Sequence, residues 1–120
     1  IVSYGLMVHR AFEAANQLAK DGIECEVIDL RTLSPIDMET VIESVENTGK
    51  LVVVDEANPR CSIASDISAT VAQQAFKDLK APIEMVTPPH TPVPFSRDLE
   101  SFYLPSSEKI VKSVQKTLIN

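Results

Sequence analysis

The pair Asp55-Glu56 follows directly on the apolar run Leu51-Val52-Val53-Val54, and adjacent carboxylates at the end of a buried strand are placed to hold a cation or move a proton. No second cluster of acids converges on them in the sequence, so helix capping or pairing with Arg60 accounts better for the pair. His9 and His90 fall on different elements, and neither has a cysteine, histidine or carboxylate at a spacing that would make a zinc site or a nucleophile-base pair. His9 reads as a partly exposed helix residue. His90 sits among prolines in a loop, the kind of segment where binding and interface residues concentrate. Cys25 lies in an expected strand and Cys61 in a loop, too far apart in sequence to suggest a metal or disulfide motif, and both read as free thiols. With three glycines and neither G-x-G-x-x-G nor G-x-x-x-x-G-K, a phosphate-cradling loop is hard to build. Gly5 could accept an anion where it opens a helix, but a tight turn explains it more simply.

The elements that would position these residues follow from periodicity. Ile1-Val2-Ser3-Tyr4 is β-rich, and from Leu6 the apolar positions Val8, Ala11, Ala15 and Leu18 step at three and four residues, giving a helix that Asp21-Gly22 ends. Val27 to Leu30 forms a short strand. Ser34-Pro35-Ile36-Asp37 then opens a helix with Ser34 as its cap, with Met38, Val41, Ile42 and Val45 turned inward and Gly49 as its stop. Lys50 to Val54 is a continuous apolar strand, as in sheets covered on both faces. A third helix is expected from about Ser62 to Leu79, with Ala64, Ile67, Val71, Ala75 and Leu79 facing the core, and Ile83 to Val86 supplies another strand. Four prolines between Pro88 and Phe95 exclude helix and regular strand there. A last helix begins near Ser106, with Ile110, Val111, Val114 and Leu118 inward.

Alternating strands and helices joined by short turns give a three-layer α/β/α domain with a mostly parallel sheet. At 120 residues the chain is the size of one domain, residues 1–120. The formal net charge of −6 argues against a nucleic-acid partner and leaves a basic protein partner open. No apolar run reaches the roughly 20 residues that span a bilayer, and no signal peptide is legible, so a cytoplasmic or organelle-matrix location is expected. The abrupt β-rich start without Met suggests a piece of something longer.

In this order, Ser3-Tyr4-Gly5, Val27 through Asp37, Val54-Asp55-Glu56, Ala81-Pro82-Ile83, Thr91-Pro92-Val93-Pro94-Phe95, Leu99-Glu100 and Leu104-Pro105 resemble the C-terminal domain of the beta subunit of thiamin-diphosphate-dependent 2-oxo acid dehydrogenases. Ala57-Asn58-Pro59-Arg60-Cys61-Ser62 is similar to the acetoin-cleaving branch. Lys80 stands where relatives often carry an acid before Ala-Pro. The resemblance implies a transketolase C-terminal-like fold with a five-stranded sheet, within a longer subunit whose N-terminal pyrimidine-binding domain is missing here. It also implies thiamin diphosphate with Mg2+ in the intact enzyme, held elsewhere, so that no catalytic, cofactor or metal residue is expected in this piece and the fragment alone is inactive. The partners implied are a second beta subunit, an alpha subunit and the basic subunit-binding domain of the E2 acyltransferase, in the bacterial cytosol, with Asp78, Glu84, His90 and Phe95 as candidate docking or interface residues. An autonomous module that binds a small anion or nucleotide is the competing expectation.

Overall fold

The computed structural model describes residues 1–119. Its elements are β1 (Val2–Ser3), α1 (Leu6–Lys20), β2 (Ile28–Asp29), α2 (Met38–Thr48), β3 (Val52–Val54), α3 (Ile63–Gln74), a 3-10 turn (Phe76–Asp78), β4 (Glu84–Val86), α4 (Arg97–Tyr103) and α5 (Ser107–Ile119). All strands are parallel in the order β2-β1-β3-β4, with Val2 opposite both Ile28 and Val53, and Val53 opposite Met85. The chain steps outward from β1 to β2, then returns across β1 to β3. With right-handed crossovers, that reversal puts α1 on the opposite face from α2 and α3.

Alternation along β3 divides its side chains between two cores. Leu51 and Val53 join Val2, Val41, Val45, Ile67 and Val71 beneath α2 and α3, while Val52 and Val54 join Met7, Leu18, Val86, Ile110 and Val114 beneath α1 and α5. Val52 to Val54 are all buried, which explains why that strand reads as unbroken Val. Each fully buried valine or leucine contributes about 1.5–3 kcal/mol of transfer free energy.

Among the described residues the sheet has four strands, not five. The segment after β4 carries Pro88, Pro89, Pro92 and Pro94, which cannot donate to a strand ladder, and it runs as loop into α4. α2 begins later than Ser34 would place it. Its cap is Asp37, whose carboxylate accepts from the Thr40 N–H at 3.1 Å and from the Thr40 hydroxyl at 2.7 Å. Two inward stripes differ by a residue from the expected ones. On α1 Ala14, not Ala15, is fully buried, and on α5 Thr117 is buried, its hydroxyl donating to the Val114 carbonyl at 2.6 Å, while Leu118 is exposed. A hydroxyl satisfied by its own helix can be buried at little cost, so polarity alone misplaced it.

Candidate functional site

The carboxyl ends of β1 and β3 meet where the sheet reverses direction, the place where open α/β sheets commonly seat ligands. Here that place is bridged from within the chain. The Tyr4 hydroxyl donates to Asp55 Oδ1 at 2.7 Å, the Ala57 N–H donates to the same oxygen at 2.9 Å, and the Ala64 N–H donates to Oδ2 at 3.1 Å. Asp55 is 1% exposed, so these bonds replace its lost hydration. Ala64 lies in the first turn of α3, where a negative charge also meets the positive end of the helix dipole. Burial, and then the bond to Asp55, push the Tyr4 hydroxyl well above the ordinary tyrosine value. Asp55 thus assists the start of α3 from outside the helix, nearer to the capping role than to the Arg60 pairing that the sequence suggested as alternatives. Among the described residues it forms no ion pair with Arg60, which is exposed, as is Glu56.

Around this bridge the segment 56–61 turns back into α3. Cys61 takes a left-handed conformation (φ 49°), and Ser62 then caps the helix, accepting from the Ser65 N–H at 3.2 Å while Ser65 Oγ accepts from the Ser62 N–H at 3.0 Å. Gly5 (φ 60°) begins α1 with no side-chain cap, the tight turn that a glycine permits there. His9 and His90 are both exposed and lie on α1 and in the loop after β4. Both cysteines are free, and burial raises the pKa of Cys25. Among the described residues no group of three or more histidines, cysteines and acids gathers as a metal site would require.

The four candidate docking residues separate. Asp78 and Glu84 lie towards the amino edge of the sheet, and His90 and Phe95 lie beyond its carboxyl edge. Glu84 is paired with Lys116 of α5 at 2.7 Å and its side chain is 18% exposed, whereas Asp78 is exposed. Beside Asp78 runs a mostly apolar groove lined by Ala72, Phe76, Leu79, Ala81, Pro82 and Ile83 together with Lys77, and Phe76 is 72% exposed. A cavity of about 210 Å³ also opens at the amino edge, lined in part by Cys25, Ser44, Thr48, Val52, Val114 and Thr117. Its hydroxyls are engaged within the chain: Ser44 donates to Glu26, Thr48 to the Ser44 carbonyl and Thr117 to the Val114 carbonyl.

Beyond the carboxyl edge stands a group of exposed apolar residues. Val93, Phe95, Leu99 and Phe102 are 67%, 104%, 60% and 86% exposed. Val93, Phe95 and Leu99 fall in the motifs that carry the resemblance, of which only Phe95 was expected as an interface residue, and Phe102 was not singled out. The signal for α4 was present, since Ser96 caps it through the Leu99 N–H at 3.2 Å and Asp98 and Glu100 fill its first turn.

Residues 1–110 match the family described as "Transketolase, C-terminal domain". The chain belongs to this family. It is 71% identical over 118 residues to the beta subunit of an acetoin:2,6-dichlorophenolindophenol oxidoreductase of Cupriavidus necator, covering 98% of this chain and 35% of that one. A Bacillus subtilis protein of the same description is 54% identical over 111 residues, covering 92% and 32%. The beta subunit of a Bacillus subtilis pyruvate dehydrogenase E1 component is 44% identical over 118 residues, covering 98% and 36%. The chain therefore spans about a third of the length of these relatives. A solved structure described as a split-gene transketolase in an inactive beta4 tetramer superposes with a TM-score of 0.83 at 29% identity, over 98% of this chain and 37% of that one. The family assignment fits the observed layers and parallel sheet. Among the described residues, no helix is long and apolar enough to cross a membrane.

Proposed function

We propose that this transketolase C-terminal domain is part of the beta subunit of a cytoplasmic, thiamin-diphosphate-dependent E1 oxidoreductase that acts on acetoin, and that it serves assembly and docking. The observation that carries the reading is the 71% identity to an acetoin oxidoreductase subunit, against 44% to a pyruvate dehydrogenase subunit. Thiamin diphosphate with Mg2+ supplies the electron sink for breaking the carbon–carbon bond in the intact enzyme. The residues described here do not fit a site for it. Asp55, the buried carboxylate at the switch point, already accepts three hydrogen bonds from its own chain. The same bridge disfavours an autonomous anion- or nucleotide-binding module.

The working enzyme pairs this beta-type subunit with a second copy and with a non-identical alpha-type subunit, and passes its two-carbon product to lipoyl-E2. Asp78 beside the groove around Phe76 is the acidic point at which a small basic domain of E2 would dock, and Glu84 contributes little because Lys116 neutralises it. The full-length subunit, combined with its alpha-type partner, is assayed for reduction of dichlorophenolindophenol with acetoin and with pyruvate. Acetoin is expected to be preferred at least tenfold in kcat/KM, and a preference for pyruvate overturns the substrate. Asp78→Lys is expected to weaken binding of the E2 domain at low salt; unchanged binding overturns that docking point.

A further inference from the structure

We infer that the cavity at the amino edge is a strand slot, and that the segment immediately before Ile1 in the longer subunit fills it by carrying β1 backwards between the chain leading into β2 and the chain leading into β3. This deepens the reading above, that the domain is part of a longer subunit, and rests on it. The chain covers 35% of its 71%-identical relative, so most of such a subunit lies outside this domain.

The ladder of β1 already runs one residue ahead of Val2. Ile1 N donates to the Glu26 carbonyl at 2.8 Å and the Ile28 N–H donates to the Ile1 carbonyl at 2.9 Å, the parallel pattern that sets Ile1 opposite Val27. On its other side Val2 stands opposite Val53. Carried back in the same register, the first position before Ile1 falls between Glu26 and Leu51, and the second between Cys25 and Lys50. All four of these residues line the cavity. Its two walls are thus the facing edges of two strand approaches, and two extended residues reach about 7 Å along it.

Strand alternation sorts the rest of the lining. Ile1 packs with Cys25 on the α5 side of the sheet, and Val2 with Leu51 on the α2 side. The second position therefore faces Val114 and Leu118, and the first faces Ser44 and Thr48. Ser44, Thr48 and Thr117 give their hydroxyl protons to acceptors within the chain, so a polar small molecule meets few free donors here, whereas a strand finds backbone partners on both walls. The slot is collinear with β1. A strand from another molecule would have to stop head-on against Ile1, and only a segment continuous with Ile1 runs through without a break.

The test uses the full-length subunit with a cysteine placed at the second or at the first position before Ile1, under mild oxidation, with linked peptides read by mass spectrometry. Neighbouring strands lie about 4.8 Å apart, within the Cα separation that a disulfide bridges, so the second position is expected to link to Cys25 of the same molecule at least about tenfold more than the first, which faces the other side of the sheet. Cys25→Ser is expected to abolish the link, and Lys50→Cys in that background to restore one across the other wall. Equal linking from both positions, or none from either, overturns the inference. Linking between two molecules shows that a second copy's strand fills the slot and overturns it as well. Each protein is also assayed with its alpha-type partner for dye reduction: activity without the link overturns the inference alone, and a wild-type subunit inactive with both acetoin and pyruvate overturns the reading beneath it.

Discussion

Tyr4 and Asp55, 2.7 Å apart, tie the first strand to the third where an open sheet would otherwise gape, and the tie is ordinary hydrogen bonding made strong by burial and charge. Tyr4→Phe keeps the ring and removes one of the three donors to Asp55, so it should cost about 1.5 kcal/mol, read as a lower urea midpoint with unchanged m-value. The same residue sets an alkaline limit. Its hydroxyl holds its proton more tightly in the folded chain than in the unfolded one, so its contribution is complete below the ordinary tyrosine value of about 10. As pH rises above that value the unfolded chain releases the proton first, and stability falls until the folded hydroxyl titrates too. The Tyr4→Phe chain is expected to lose less stability than wild type between pH 8 and 10.5. An equal loss in both would show that other groups control alkaline unfolding.

At the scale of elements, caps decide the boundaries. Ser62→Ala removes one half of the reciprocal pair with Ser65 and should cost about 1 kcal/mol in thermal or urea unfolding. Gly49→Ala should cost about as much or more. Gly49 ends α2 at φ 73°, and an added methyl group would lie 2.7 Å from the Lys80 side chain, which must shift. Gly49, the apolar run at β3 and the stripe Ala64, Ile67, Val71 and Ala75 were legible because period, cap chemistry and burial agree there. The start of α2 was misread because Ser34 and Asp37 are both good caps, and sequence does not rank two adjacent caps by the partner each can reach. α4 was missed because its outward face is apolar. Periodicity identifies a helix by the face it buries, and this one buries little besides Tyr103. At the site, the carboxylate pair was visible, but the donor from Tyr4 was not, since the two residues are brought together only by strand order.

For the whole molecule, the sheet separates two cores that hold one another in place. Ile67→Ala and Leu18→Ala fall on opposite faces, and each should cost about 2–5 kcal/mol. Because the side chains share no partners across the sheet, the double variant should equal the sum of the single ones within about 0.5 kcal/mol and still unfold in one transition. A marked departure from additivity would mean that the sheet transmits strain between its faces. The acidic balance acts at the same scale: with a net charge of −6 over these 120 residues, a basic surface complements the domain better than an acidic one.

β1 is only two residues long, yet it stands inside the sheet, opposite Ile28 on one side and Val53 on the other. During synthesis on the ribosome that strand emerges first of the four and stays without its full set of neighbours until the stretch around Val53 has cleared the exit tunnel. Val2 and Met7 are therefore apolar surface on the nascent chain that waits for its cover until the third strand has emerged. Slow translation while the stretch between β1 and β3 is leaving the tunnel would lengthen that window.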